Sequence, residues 1–133
     1  MMNETPKGNI LLVDEDNFFV NIYSMKFTLA GYAVEACLSA NDAFEVLKNG
    51  FNPDAIVFDI IMREHDGFYF LETIGKDKLS ERIAIVALTN ESADAPKARA
   101  IQLGADRFIM KSMTIPSEVV SMVEEEVKKK KRS

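Results

Sequence analysis

The chain has 133 residues, a length that fits one compact domain. Cys37 is the single cysteine, so the chain has no intrachain disulfide, and a reducing, cytoplasmic location is expected. No apolar run approaches the length of about 20 residues that a membrane span requires. The chain carries 21 acidic and 16 basic residues, and five of the basic ones lie at 128–132, so the acidic remainder argues against nucleic acid as a partner.

Five short runs of apolar residues predict the strands of a buried sheet. Four of them lack the alternating polar residues of a half-exposed strand, and the run at residues 33–38 is weaker. In chain order, the predicted strands cover residues 10–13, 33–38, 55–58, 83–88 and 108–110.

Segments with a helical spacing of apolar residues separate these strands. The first predicted helix ends before Gly31, and the second has Ser39 as its cap and Gly50 as its terminator. A stripe of residues spaced at helical intervals predicts the first helix: Phe18, Ile22, Met25 and Leu29.

Three further helices are predicted in the second half of the chain. The third follows a turn at Asp66 and Gly67, the fourth ends at Gly104, and the fifth has Pro116 in its first turn. The inner stripe of the fifth helix is predicted to consist of Val119, Met122, Val123 and Val127.

This regular alternation of strands and helices predicts the architecture. Parallel strands joined by right-handed helical crossovers form an open sheet with helices on both faces. We therefore predict an α/β protein with a single doubly wound, five-stranded parallel sheet. In such sheets, ligands bind beyond the carboxyl ends of the strands.

Polar side chains follow four of the predicted strands and are therefore expected at one edge of the sheet. Any one of them could simply cap the next helix, but together they offer carboxylates, a hydroxyl and an ammonium group. Carboxylate oxygens are the ligands that Mg²⁺ prefers. The residues in question are Asp14, Glu15, Asp16, Asp59, Thr89 and Lys111.

The order and spacing of these motifs resemble the receiver domain of bacterial two-component response regulators. The matching segments are residues 10–15, 57–62 with the turn at 66–67, 87–90 and 108–111. The resemblance implies a flavodoxin-like fold with strand order 2-1-3-4-5. It also divides the chain into a flexible N-terminus at residues 1–8, a receiver domain at 9–127 and a basic tail at 128–133.

The resemblance further implies a phosphoacceptor rather than an enzyme acting on other molecules. Asp59 would take a phosphoryl group from the phosphohistidine of a histidine kinase or phosphotransfer domain that docks near the first helix. Lys111 would offset charge on the phosphoryl oxygens, and Thr89 would bond to one of them. Phe108 would then respond as a switch residue and change the face formed by the fourth helix, the fifth strand and the fifth helix. That face would bind an effector, an output domain or a second receiver.

The metal site implied by the resemblance contains a departure from the family pattern. Mg²⁺ would be held by Asp14, Glu15, Asp59 and the backbone carbonyl of Ile61, yet the family usually has Asp where this chain has Glu15. A second departure is Ser112, which stands where the family usually has a proline after the lysine. We expect the bond before Ser112 to be trans or strained, because a non-proline cis bond costs about 2.5–4 kcal/mol.

Three alternatives remain open from the sequence. The first is a degenerate receiver that is never phosphorylated and acts as a binding module. The second is a phosphatase of the haloacid dehalogenase type with Asp14 and Asp16 as its acidic pair. The third is a flavin-binding flavodoxin relative, although the acidic triplet at residues 14–16 would repel the flavin phosphate.

Overall fold

The computed structural model of the chain describes residues 5–60, 62, 67–76, 81–89 and 94–132. Its strands are β1 (Asn9–Val13), β2 (Ala33–Cys37), β3 (Ala55–Asp59), β4 (Ala84–Thr89) and β5 (Arg107–Met110). Its helices are α1 (Asn17–Leu29), α2 (Ala40–Lys48), α3 (Gly67–Lys76), α4 (Asp94–Gln102) and α5 (Pro116–Arg132). The strand predictions are confirmed to within one residue at each end.

The strands form one parallel sheet in the order β2-β1-β3-β4-β5, as the resemblance implied. The strand β1 lies between β2 and β3, and β4 and β5 follow β3 on the side away from β1. Their carboxyl ends therefore meet at a single edge, where this fold class places its ligands.

Two hydrophobic layers cover the sheet, one on each face. Successive strand residues point to opposite faces, so Leu11 and Ile56 pack under α2, α3 and α4, whereas Ile10 and Val57 pack under α1 and α5. All five strands contribute to this core, and β3 and β4 are buried along their whole length. Within the described part of the chain, no helix is long and apolar enough to cross a membrane.

The α1 helix packs through a different stripe from the one that predicted it. Its buried residues are Val20, Tyr23 and Phe27. Three residues of the predicted stripe face outward, with exposed fractions of 74% for Phe18, 55% for Met25 and 75% for Leu29, whereas Ile22 is half-buried against the core. The helix carries apolar residues on both stripes, so spacing alone could not identify the face that meets the sheet.

The α5 helix largely matches its prediction. Val119, Val123 and Val127 are buried against the sheet, while Met122 is half-buried at the margin of the same layer. The helix continues through the basic segment to Arg132, and within that segment Lys130 pairs with Asp106 at 3.1 Å.

Alanine substitutions of two phenylalanines on α1 test which stripe of this helix is buried. We expect Phe27→Ala to lower the free energy of unfolding by about 3–5 kcal/mol, because it removes a fully buried ring. Phe18→Ala removes an exposed ring and should change it by less than about 0.5 kcal/mol. Urea unfolding of both variants measures this, and a larger loss for Phe18→Ala would contradict the assigned face.

Candidate functional site

The sheet brings the predicted site residues to its carboxyl edge. Asp14 follows β1, and Asp59 is the last residue of the neighbouring strand β3. Thr89 ends β4, where its neighbour in the sheet is Met110, and Lys111 follows Met110 directly. The structure therefore places two carboxyl groups, a hydroxyl group and an amino group at the ends of four adjacent strands.

The ammonium group of Lys111 joins the two acids. Its Nζ donates to Asp14 Oδ2 at 2.6 Å and to Asp59 Oδ2 at 3.0 Å. The three side chains are between 4% and 12% exposed, so all of these charges are largely removed from water. Charge-assisted hydrogen bonds of this length are stronger than neutral ones, and here they hold three strand ends together.

Asp14 is fixed by its own backbone and by the start of α1. Its backbone N–H donates to the carbonyl of Cys37 at 3.0 Å, and its Oδ1 accepts from the N–H of Asp16 at 2.9 Å. Burial raises the pKa of Asp14 above its usual value, although the bonds from Lys111 and from the Asp16 N–H act in the opposite direction. This carboxylate is therefore held in a setting that disfavours its charge.

The same hydrogen bonds raise the pKa of Lys111. Burial alone would lower this pKa, but the hydrogen bonds to Asp14 and Asp59 outweigh burial and raise it. Lys111 is consequently charged at neutral pH, and its charge is directed at the two carboxylates.

The structure also locates the predicted switch residues. Thr89 is completely buried, and Phe108 is half-buried against the core layer that contains α3 and α4. The register pairs Ala87 with Phe108 on adjacent strands. Thr89 and Phe108 thus lie on the neighbouring strands β4 and β5.

Asp16 has a structural role that bears on the phosphatase alternative. Its Oδ1 accepts from the N–H groups of Phe18 and Phe19 at 3.1 and 3.3 Å, so it is the N-cap of α1. The second acid of a haloacid dehalogenase site acts on the substrate instead. Its use as a helix cap argues against the assignment of Asp14 and Asp16 as an acid/base pair.

The structure describes three of the four predicted metal ligands. Asp14 and Asp59 supply buried carboxylate oxygens of the type that Mg²⁺ prefers, whereas the side chain of Glu15 is exposed. Ile61 lies outside the described residues. Among the residues that are described, His, Cys, Asp and Glu side chains form no group of three or more that could hold a metal ion. The two buried acids nevertheless fit a divalent cation by donor type.

Gly67 sets the approach of α3 to the end of β3. Its N–H donates to the carbonyl of Ile60 at 2.7 Å. A Cβ atom at this position would lie 2.5 Å from Ile60 Cα and 2.8 Å from the Asp59 carbonyl oxygen. A side chain at this position would therefore clash with the end of β3. Gly67 begins α3 in the structure, and Asp66, the other residue of the predicted turn, lies outside the described residues.

Two further features complete the site. The described residues contain no cis peptide bond, so the Lys111–Ser112 bond is trans, and Lys111–Met113 form a turn of 3-10 helix. The ring of Phe19 lies against the Lys111 ammonium, with 4.0 Å between Nζ and the ring centroid. Sequence reasoning missed Phe19, because this residue is not part of the stripe that predicted α1.

A flavodoxin-like sheet with two buried acids and a lysine at its carboxyl edge defines a class of small signalling domain, and comparisons with known proteins identify the family. Residues 10–124 match the response regulator receiver domain. Response regulator SaeR of Staphylococcus aureus (strain USA300) is 30% identical over 112 residues, which cover 84% of this chain and 47% of SaeR. The chain therefore spans about half the length of this relative.

Solved structures support the same fold. A receiver domain protein from Methanospirillum hungatei JF-1 superposes with a TM-score of 0.86 at 23% identity, covering 96% of this chain and 98% of that one. The receiver domain of the Francisella response regulator 1452 gives 0.83 at 21% identity, covering 92% and 98%. The chain belongs to the response regulator receiver domain family of two-component signalling systems.

Alanine substitutions at two glycines of α3 test the steric role of Gly67. Gly67→Ala should lower the free energy of unfolding by about 2 kcal/mol or more, because backbone atoms of β3 must move to admit the new Cβ. Gly75→Ala is the matched control, since its Cβ would meet only an ordinary contact at 3.9 Å and should stabilise the helix by about 0.5–1 kcal/mol. Equal stabilities of the two variants in urea would refute the close approach.

Proposed function

We propose that Asp59 is the phosphoacceptor of this receiver domain in the cytoplasm. A carboxylate oxygen of Asp59 attacks phosphorus, the bond from phosphorus to the histidine nitrogen of the donor breaks, and an aspartyl phosphate forms. The observation that carries the proposal is the pair of buried carboxylates, Asp14 and Asp59, joined by the ammonium of Lys111 at the carboxyl edge of the sheet.

Phosphoryl transfer depends mainly on positioning and on neutralisation of charge. Lys111 already lies 3.0 Å from Asp59, so it can donate to a phosphoryl oxygen with a small change of position. Mg²⁺ bound by Asp14, Glu15, Asp59 and the Ile61 carbonyl would supply further positive charge to the phosphoryl oxygens. Asp14 would be one of the residues that hold this second cation.

Transfer also starts the proposed switch. The charge on Asp59 changes from about −1 to about −2 and new acceptor oxygens are added, which favours a bond from the Thr89 hydroxyl. Movement of Thr89 would change the space available to the Phe108 ring on the next strand. The response would reach the surface of α4, β5 and α5, where we propose that an effector, an output domain or a second receiver binds.

The outward stripe of α1 is our proposed docking surface for the histidine kinase or phosphotransfer domain. Phe18, Met25 and Leu29 are 74%, 55% and 75% exposed, and the helix begins beside Asp14. Exposed apolar residues that lie next to a reaction site are typical of a protein-binding surface. A donor bound there would present its phosphohistidine close to Asp59.

A degenerate receiver remains a second candidate function. The exposed side chain of Glu15 favours it, because this carboxylate of the predicted metal site is not buried as those of Asp14 and Asp59 are. Such a domain would keep the fold and the binding surfaces without accepting a phosphoryl group.

Mass spectrometry after incubation with acetyl phosphate and Mg²⁺ separates the two candidates. The wild-type protein should gain one phosphoryl group and Asp59→Asn none, because the amide is not a nucleophile. Asp14→Asn should still be labelled, about 10-fold or more slowly, because it retains the acceptor but loses one cation ligand. A folded wild-type protein without added mass would favour the degenerate receiver, and normal labelling of Asp59→Asn would refute Asp59 as the acceptor.

A further inference from the structure

We propose that Phe19 is a positioning residue that keeps the Lys111 ammonium in the site while this group exchanges its hydrogen-bond partners during phosphoryl transfer. The inference rests on the proposed function, because it concerns how Lys111 reaches the phosphoryl group. Its basis is the 4.0 Å distance between Lys111 Nζ and the centre of the Phe19 ring. A cation at this distance from the face of an aromatic ring is attracted by the ring's negative quadrupole.

The ring occupies a side of the ammonium that the acids leave open. Two directions around Nζ are taken by the hydrogen bonds to Asp14 and Asp59. The Lys111 side chain is only 9% exposed, so little water is available to solvate the rest of the group. The π-face of Phe19 therefore replaces part of the hydration that burial has removed.

Phe19 is itself held in place from two sides. Its ring stacks on Tyr23 with the centroids 4.1 Å apart and an interplanar angle of 23°, and Tyr23 is buried. Its backbone N–H donates to Asp16, the N-cap of α1. The cap and the stacked ring together fix where the aromatic surface meets Lys111.

The contact matters because it does not involve a group that reacts. During transfer, Lys111 must release bonds to carboxylates and donate to phosphoryl oxygens instead. Both of its acidic partners change their charge environment in that step, whereas the ring of Phe19 does not. The ring thus limits how far the ammonium can move. Lys111 is therefore already in position to donate to the phosphoryl oxygens during transfer.

Site-specific fluorination of the ring tests the inference without changing its shape. Fluorine withdraws electron density from the π-face, so each added atom weakens the attraction for Lys111. We expect the rate of labelling of Asp59 by acetyl phosphate to fall stepwise from phenylalanine to trifluorophenylalanine at position 19, by about three- to tenfold overall. Phe19→Leu should lose a similar factor.

Phe68 provides the matched control. Its ring also lies over a cation, with 4.2 Å between the ring centroid and Arg99 Cζ, but it belongs to α3 and packs in the core layer on the opposite face of the sheet from Phe19. The same fluorination series at position 68 should leave the labelling rate unchanged. A flat series at position 19, or equal trends at both positions, would overturn the inference.

A second readout requires neither metal nor phosphodonor. In EDTA, the ε-methylene protons of Lys111 should show an upfield ring-current shift in the NMR spectrum of the wild type, and Phe19→Leu should abolish it. Identical shifts in the two proteins would overturn the contact. If Asp59 is labelled in the wild type and the series at position 19 is flat, the inference fails while the proposed function stands. An unlabelled wild type would overturn both.

Discussion

The charge of Lys111 compensates two carboxylates that the fold buries at the end of its sheet. Removing a carboxylate from water costs several kcal/mol unless a cation and hydrogen bonds replace its hydration. Asp14 and Asp59 both meet this requirement through the same nitrogen atom. Three strand ends meet at this one interaction, since Asp14 follows β1, Asp59 ends β3 and Lys111 follows β5.

The strand order makes this interaction possible. The neighbouring strands β1 and β3 place Asp14 and Asp59 side by side, whereas β5 is separated from β3 by β4. Two strand spacings amount to about 10 Å, so the cation must be carried by a long side chain that reaches across the end of β4. That strand ends at the buried Thr89, so the hydroxyl of the proposed switch lies at the same edge of the sheet.

The sequence predicted the strands and the residues at their ends because both depend on local patterns. Buried parallel strands are continuous apolar runs, and the polar residue that ends each run marks the edge of the sheet. The strand order came from the family resemblance, since no local pattern specifies which strands are neighbours. Lys111, Asp14 and Asp59 could therefore be grouped correctly before their distances were known.

Two failures of prediction concern α1: its buried stripe and the contact of Phe19 with Lys111. This helix has apolar residues on two stripes. Whether Phe27 or Phe18 is the core residue depends on which stripe packs on the sheet. The orientation of α1 on the sheet also places Phe19 against Lys111. These two residues are 92 positions apart, and no spacing rule predicts a contact between them. Glu15 stays a predicted metal ligand, and the spacing on which that prediction rests does not specify how exposed the side chain is.

The most direct test of this account is the stability of the protein without the Lys111 charge, measured by urea unfolding in EDTA. Lys111→Met keeps most of the length of the side chain and removes the ammonium that pairs with two buried carboxylates, so we predict a loss of about 3–5 kcal/mol in the free energy of unfolding. Adding Asp14→Asn and Asp59→Asn to the same variant removes those charges and should restore most of the loss. A Lys111→Met protein as stable as the wild type would contradict the claim that this ammonium holds the site together.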